Sequence, residues 1–165
     1  MRLHRWLAVT AMVAAGALPA MAGVAIFSKA DLSDLSTATD PTDKAWAVAS
    51  ATVANGQTVV VLNVKGLDAG AAGRTLGAHV HTGPCVAGAG AAALGHYNSL
   101  AGGISRDTEV WLDFTITGGG TGHAQAVVPF EIAGGTARSI VIHRDPTAAG
   151  TGAAGPRLAC IPLEF

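Results

Sequence analysis

The 165 residues give room for one domain; half are apolar and only 13% charged, and 22 glycines keep much of the apolar content small. A formal charge of −1 speaks against nucleic acid or an anionic membrane as the main partner, since either wants a basic excess. Val, Leu and Ile with few aromatics suit a compact β-sandwich better than a helical bundle.

The N-terminus reads as an export signal. Arg2 and Arg5 are basic, an uncharged run extends from Trp6 to Phe27, and Ala20-Met21-Ala22 after Pro19 supplies the small residues of a cleavage site. Residues 1–22 are therefore expected to be removed, leaving eight basic against 11 acidic residues, a net charge of −3. The alternative is an uncleaved anchor, because the 22-residue run could span a bilayer of about 30 Å. Only then would membrane be a partner. Both readings place the domain outside the cytoplasm: secreted, periplasmic or at the cell surface. In that oxidising setting two cysteines, Cys85 and Cys160, most simply form one disulfide. A thiolate metal pair is the alternative, but the short spacing it favours is missing.

Residues 23–44 are rich in Ser, Thr and Asp, include Pro41, and are expected to be a flexible linker to a domain at 45–165. From Ala45 the hydrophobic period is two. Trp46, Val48, Ser50 and Thr52 alternate with alanines, Asn55-Gly56 signals a type I′ hairpin, and Thr58 to Lys65 returns with Val60, Leu62 and Val64 on one face. A third strand leads into Gly77-Ala78-His79-Val80-His81. After a long loop from Thr82 to about Arg106, Val110, Leu112, Phe114 and Ile116 take one face and Glu109, Trp111, Asp113 and Thr115 the other, outer one. Gly118-Gly119-Gly120 turns the chain into a strand from His123 to Phe130, and Arg138–His143 and Leu158–Leu163 complete the set. Many short strands with Gly and Asn turns predict an all-β antiparallel sandwich or barrel.

Chemistry concentrates on four histidines. Side chains two apart on a strand point the same way, so His79 and His81 can reach one ion together while Val80 turns to the other layer. His96 lies in the long loop, and His143 ends a strand. An all-imidazole set suits copper(II); zinc would accept it, but the affinity order favours copper.

Gly-Ala-His79-Val-His81, Gly95-His96-Tyr97-Asn98 and the stretch from Gly152 to Cys160, with Arg157-Leu-Ala-Cys160, resemble the motifs of copper/zinc superoxide dismutase. Val59 to Leu67 is similar to the segment preceding that family's His-x-His, and the likeness runs from about Ala45 to Leu163. It implies a Greek-key β-sandwich with His79, His81, His96 and His143 as copper ligands. It implies a Cys85–Cys160 disulfide that ties the His96 loop to the last strand. Arg157 would be the guanidinium that draws in superoxide; Arg keeps its charge and offers a fork of donors to a small anion. His96 would be the labile ligand that also carries a proton.

The pattern breaks at the zinc site. No histidine lies between Tyr97 and Val110, His123 reads as solvated, and Asp113 falls on the outer face. The four ligands of a structural zinc are not supplied, so zinc is expected to be absent. The segment between His143 and Arg157 has only 13 residues, with Asp145 its sole acid, so the loop that builds an electrostatic funnel in the family is reduced. The resemblance thus implies a zinc-less, copper-only superoxide dismutase, with a non-catalytic copper store of the same fold as the alternative.

Overall fold

The computed structural model describes residues 23–100 and 102–165; the signal expected at 1–22 lies outside the described residues. Among the described residues ten strands follow one another: β1 (Val24–Asp31), β2 (Ser33–Asp34), β3 (Trp46–Ala54), β4 (Gln57–Lys65), β5 (Thr75–Leu76), β6 (Ala78–His81), β7 (Phe114–Thr115), β8 (Thr121–Val128), β9 (Ser139–His143) and β10 (Arg157–Pro162). They form two antiparallel four-stranded sheets, β1-β3-β4-β8 and β2-β10-β9-β6, with a β5-β7 pair at the side. β4 neighbours β8, and β6 neighbours β9, although other strands intervene in sequence. These are the crossovers of a Greek key. The all-β sandwich expected from the alternation is the fold observed.

The core lies between the sheets. On β3 the alanines face it, with Ala47 and Ala49 fully buried, while Val60, Leu62 and Val64 of β4 form the expected inward row. Ala78 and Val80 of β6 and Ile140 and Ile142 of β9 meet them from the second sheet. Truncating a fully buried Leu62 to alanine would cost roughly 2–5 kcal/mol. The β3–β4 hairpin closes on Asn55 and Gly56, whose φ of 54° and 78° are the two positive values a type I′ turn requires.

The flexible linker expected at 23–44 is corrected. β1 pairs with β3 along its whole length, from Val24 opposite Val53 to Asp31 opposite Trp46, and β2 pairs with β10. Ile26, Ala30 and Leu32 pack against the core, and Thr42 is buried. The polar composition misled because strand pairing uses backbone groups, and an edge strand tolerates charges such as Lys29 and Asp31 on its open face. Two further bounds shift: β8 begins at Thr121 rather than His123 and ends at Val128. Among the described residues no helix is long and apolar enough to cross a membrane.

Candidate metal centre

The outer face of the second sheet carries the site. With Ala78 and Val80 committed to the core, His79 and His81 point outward, and the register places them opposite Val141 and Ser139 of β9. His143 ends β9 on that same face. It is brought alongside by Gly77, whose carbonyl accepts from the His143 backbone N–H at 2.7 Å. A side chain at Gly77 would put its Cβ 2.7 Å from the Asp145 carbonyl oxygen, so only glycine allows this approach. His96 arrives from the long loop, which pairs with β6 through a bridge between His81 and His96 and through Tyr97 N–H to the Val80 carbonyl, 2.8 Å.

The four imidazoles each offer a nitrogen within 4.8 Å of the others. His79 and His81 are fully buried, His143 is 4% exposed, and the His96 side chain is 20% exposed. Each ring has one nitrogen fixed by a partner. His81 Nδ1 faces the Leu94 carbonyl at 3.2 Å and His143 Nδ1 the Gly155 carbonyl at 3.1 Å. A carbonyl can only accept, so both protons sit on Nδ1 and both Nε2 atoms carry lone pairs. Those two Nε2 atoms are 3.4 Å apart, lone pair facing lone pair. His96 Nδ1 donates to Glu109 Oε2 at 2.9 Å, which frees its Nε2. His79 is reversed: Nε2 meets the Thr147 hydroxyl at 2.7 Å, and buried Nδ1 has no partner.

An orphaned buried nitrogen and two opposed lone pairs are unfavourable in an empty protein and favourable around a cation. The donor set therefore fits a metal ion, and an all-imidazole set suits copper. Three of the rings, those of His79, His81 and His143, are also held neutral. Burial first, and then the neighbouring histidines, lower His79 from 6.5 to about 2 and His81 to about 3. Burial lowers His143 to about 4, against the pull of its bond to the Gly155 carbonyl.

Glu109, Trp111 and Asp113 share the outer face expected of them, but that face is covered rather than open. Residues 109–112 run beside β6, through Val80 N–H to the Val110 carbonyl and Leu112 N–H to the Ala78 carbonyl. Their outer face thereby becomes the floor of the site. Glu109 is 4% exposed and accepts from both the His96 ring and, at 2.8 Å, the Trp111 indole. Asp113, half-buried, accepts from the Thr147 hydroxyl at 2.5 Å. Both carboxylates belong to the centre. Alternation separated two faces correctly but could not show that the loop 144–156 folds over the second one. His123 is exposed on β8, bonded to Asn63, and takes no part.

Arg157 opens β10 directly opposite His143. Its guanidinium donates to the carbonyls of Gly90 and Leu94, so the Leu94 oxygen serves Arg157 and His81 at once. Leu94 holds that carbonyl in place with φ of 56°, in the region that favours glycine. Partial burial lowers the Arg157 pKa, yet a guanidinium stays charged at any working pH. Cys85 and Cys160 are bonded, Cα atoms 5.6 Å apart, and fasten this loop to β10 behind the site, beside buried Val141 and Ala93. The bond suits an oxidising compartment.

No protein-family model matches the chain, and no curated protein is significantly similar to it. Among solved structures, a double mutant of a SOD-like protein from Bacillus subtilis superposes with a TM-score of 0.57 at 15% identity, over 86% of this chain and 97% of that one. At that identity the likeness speaks for the fold. The chain thus has the superoxide dismutase-like β-sandwich, and on it a four-histidine cluster and a disulfide of the kind the sequence motifs imply.

Proposed function

We propose that the protein is an extracytoplasmic copper-dependent superoxide dismutase that converts two superoxide anions and two protons to oxygen and hydrogen peroxide. The observation that carries this reading is the convergence of four imidazoles, each with one nitrogen pinned and the other free. His79 through Nδ1, and His81, His96 and His143 through Nε2, would hold the ion. When bound, copper would supply the redox couple, taking an electron from one superoxide and giving it to the next.

The remaining steps fall to the protein's own groups. Arg157, anchored by two carbonyls, keeps a positive charge beside His81 and His143, where an incoming anion is attracted and oriented. His96, the most exposed of the four, would be the ligand that lets go in the reduced state, so that its Nε2 is free to carry a proton to reduced substrate. Glu109 supports that role by holding Nδ1–H and so fixing the ring with Nε2 toward the site. The same bond occupies the nitrogen that a bridging second metal would need. Asp113 already accepts from Thr147 and from Ala78 N–H. These commitments favour copper without zinc.

The test is metal content and dismutase rate on one copper-loaded, chelator-washed sample. About one copper per chain with activity is expected, lost in His79→Ala and kept in His123→Ala. One tightly held zinc besides copper would refute the zinc-less reading. Copper without dismutation would favour the second reading, a copper store. The burial of three of the four rings suits retention of an ion and is what recommends that alternative.

A further inference from the structure

The first sheet, on the far side of the sandwich from the metal centre, has an outer face whose side chains are sorted along the strands. With Ala47, Ala49 and Ala51 of β3 and Val60, Leu62 and Val64 of β4 turned to the core, the alternate residues face out, half-buried or exposed. The register lines them up in rows across the sheet. At one end Val59 lies between Thr52 and Val127, and Phe27 heads the next row, beside Ser50 and Val61. Phe27 is 69% exposed and Val127 53%. At the other end Trp46 lies between Asp31 and Lys65. Lys29 and Lys65 both hold their ammonium groups over its ring, 5.2 and 5.4 Å from the centroid. Such a gradient suits a lipid–water boundary, where apolar side chains enter, tryptophan stays at headgroup depth and lysine reaches the phosphates.

Chain position, charge and area each bear on what meets this face. The apolar run that opens at Trp6 continues in sequence through Phe27, and β1 begins inside it, at Val24. Because β1 pairs with β3 from Val24 onward, no slack separates that run from the apolar end of the face. On the face itself Lys29 and Lys65 outnumber Asp31, a local excess of positive charge that the overall −1 conceals. The four strands, about 4.8 Å apart and eight residues long at about 3.4 Å each, make a patch of about 500 Å². A stable dimer wants roughly 800 Å² from each partner.

We propose that the outer face of the first sheet is a membrane-docking surface that seats the domain on anionic lipid. Phe27, Val59 and Val127 enter the boundary between headgroups and acyl chains, and Lys29 and Lys65 meet the phosphates beside Trp46. The four histidines lie on the outer face of the other sheet, so a domain seated this way turns them toward solution. A second copy of the chain is the competing occupant, disfavoured by the small area and by two lysines that would face their own images across a twofold axis.

The test needs no metal and uses the exported chain as isolated, its first residue read by mass. Amide signals are recorded on bilayer discs of phosphatidylcholine and phosphatidylglycerol, about seven to three, with a trace of gadolinium-chelating lipid at the headgroups. Phe27, Val59 and Val127 should broaden, and His79, Val141 and His143 should not. If the chain begins at Gly23, sedimentation with vesicles of the same lipids gives the affinity; if it begins at Met1, the discs alone decide. Phe27→Ser should weaken binding about 10-fold, the share of a phenylalanine's burial still to be gained. Lys29→Gln and Lys65→Gln should each cost about fivefold, and only with the anionic lipid present. Leu100→Ser, which removes an 89% exposed side chain outside the face, should change nothing. Broadening that falls on the second sheet, falls on both sheets alike or is absent overturns the proposal. So does self-association that Phe27→Ser abolishes while the face ignores lipid, which makes a second copy the occupant.

Discussion

Acid should destabilise the metal-free protein steeply, and the size of the effect can be worked from the site. His79, His81 and His143 move from 6.5 in the unfolded chain to about 2, 3 and 4 in the fold. Between those values and 6.5 the unfolded state binds protons that the folded state does not, so stability is complete above 6.5 and falls as pH falls. At pH 5 each histidine titrating alone would remove about 2 kcal/mol, at 1.36 kcal/mol per pK unit. Three independent sites give a ceiling of about 6 kcal/mol. The true loss falls below that ceiling only as far as the folded cluster itself takes up a proton, and a first proton in so small a cluster repels the next. Against a total of roughly 5–15 kcal/mol this is enough to unfold the protein or open the loop 144–156. Urea unfolding of chelated, disulfide-intact protein at pH 7, 6 and 5 measures it, and His143→Asn should flatten the slope. A metal-free stability unchanged between pH 7 and pH 5 would refute the claim that these rings are held neutral.

Three other outcomes are expected. Glu109→Leu strands the His96 and Trp111 N–H donors and should lower stability by about 1–3 kcal/mol for each donor left unpaired, read by denaturant midpoint; an unchanged midpoint would mean that water replaces the carboxylate. Reducing the disulfide, which spans 75 positions, should cost up to about 4–5 kcal/mol and speed copper loss to a chelator, seen by melting with and without reductant. With activity established, Arg157→Glu should slow dismutation more than Arg157→Ala, both should keep copper, and the wild-type rate should fall with salt, since screening acts over about 10 Å at 0.1 M. If both variants keep the full rate, Arg157 does not guide the substrate.

The sandwich was legible because alternation reports burial directly. Val60, Leu62 and Val64, the outward pair His79 and His81, and the Asn55-Gly56 turn each state their face or conformation in local sequence. The carboxylates were not legible, since Glu109 and Asp113 lie on the correct face but what covers that face is a loop distant in sequence. Thr147 was invisible for the same reason: nothing about a threonine between Pro146 and Ala148 announces a partner on β6. β1 was missed because its apolar start, Val24 to Phe27, continues the apolar run of the export signal and its polar end looks like linker.

The Leu94 carbonyl receives both the His81 ring and the Arg157 guanidinium. Under the proposed function, holding the ion and receiving the substrate would hang from a single peptide group, and an alteration to the 90–94 turn would disturb the two together. An evolutionary route that relaxes Leu94 to glycine would ease its backbone, by roughly 1–3 kcal/mol for a residue held in a sparsely populated conformation. It would also loosen the one point that keeps affinity and access in step. Adjusting either of them independently would have to begin elsewhere, at Glu109 or Thr147, whose contacts reach one histidine each.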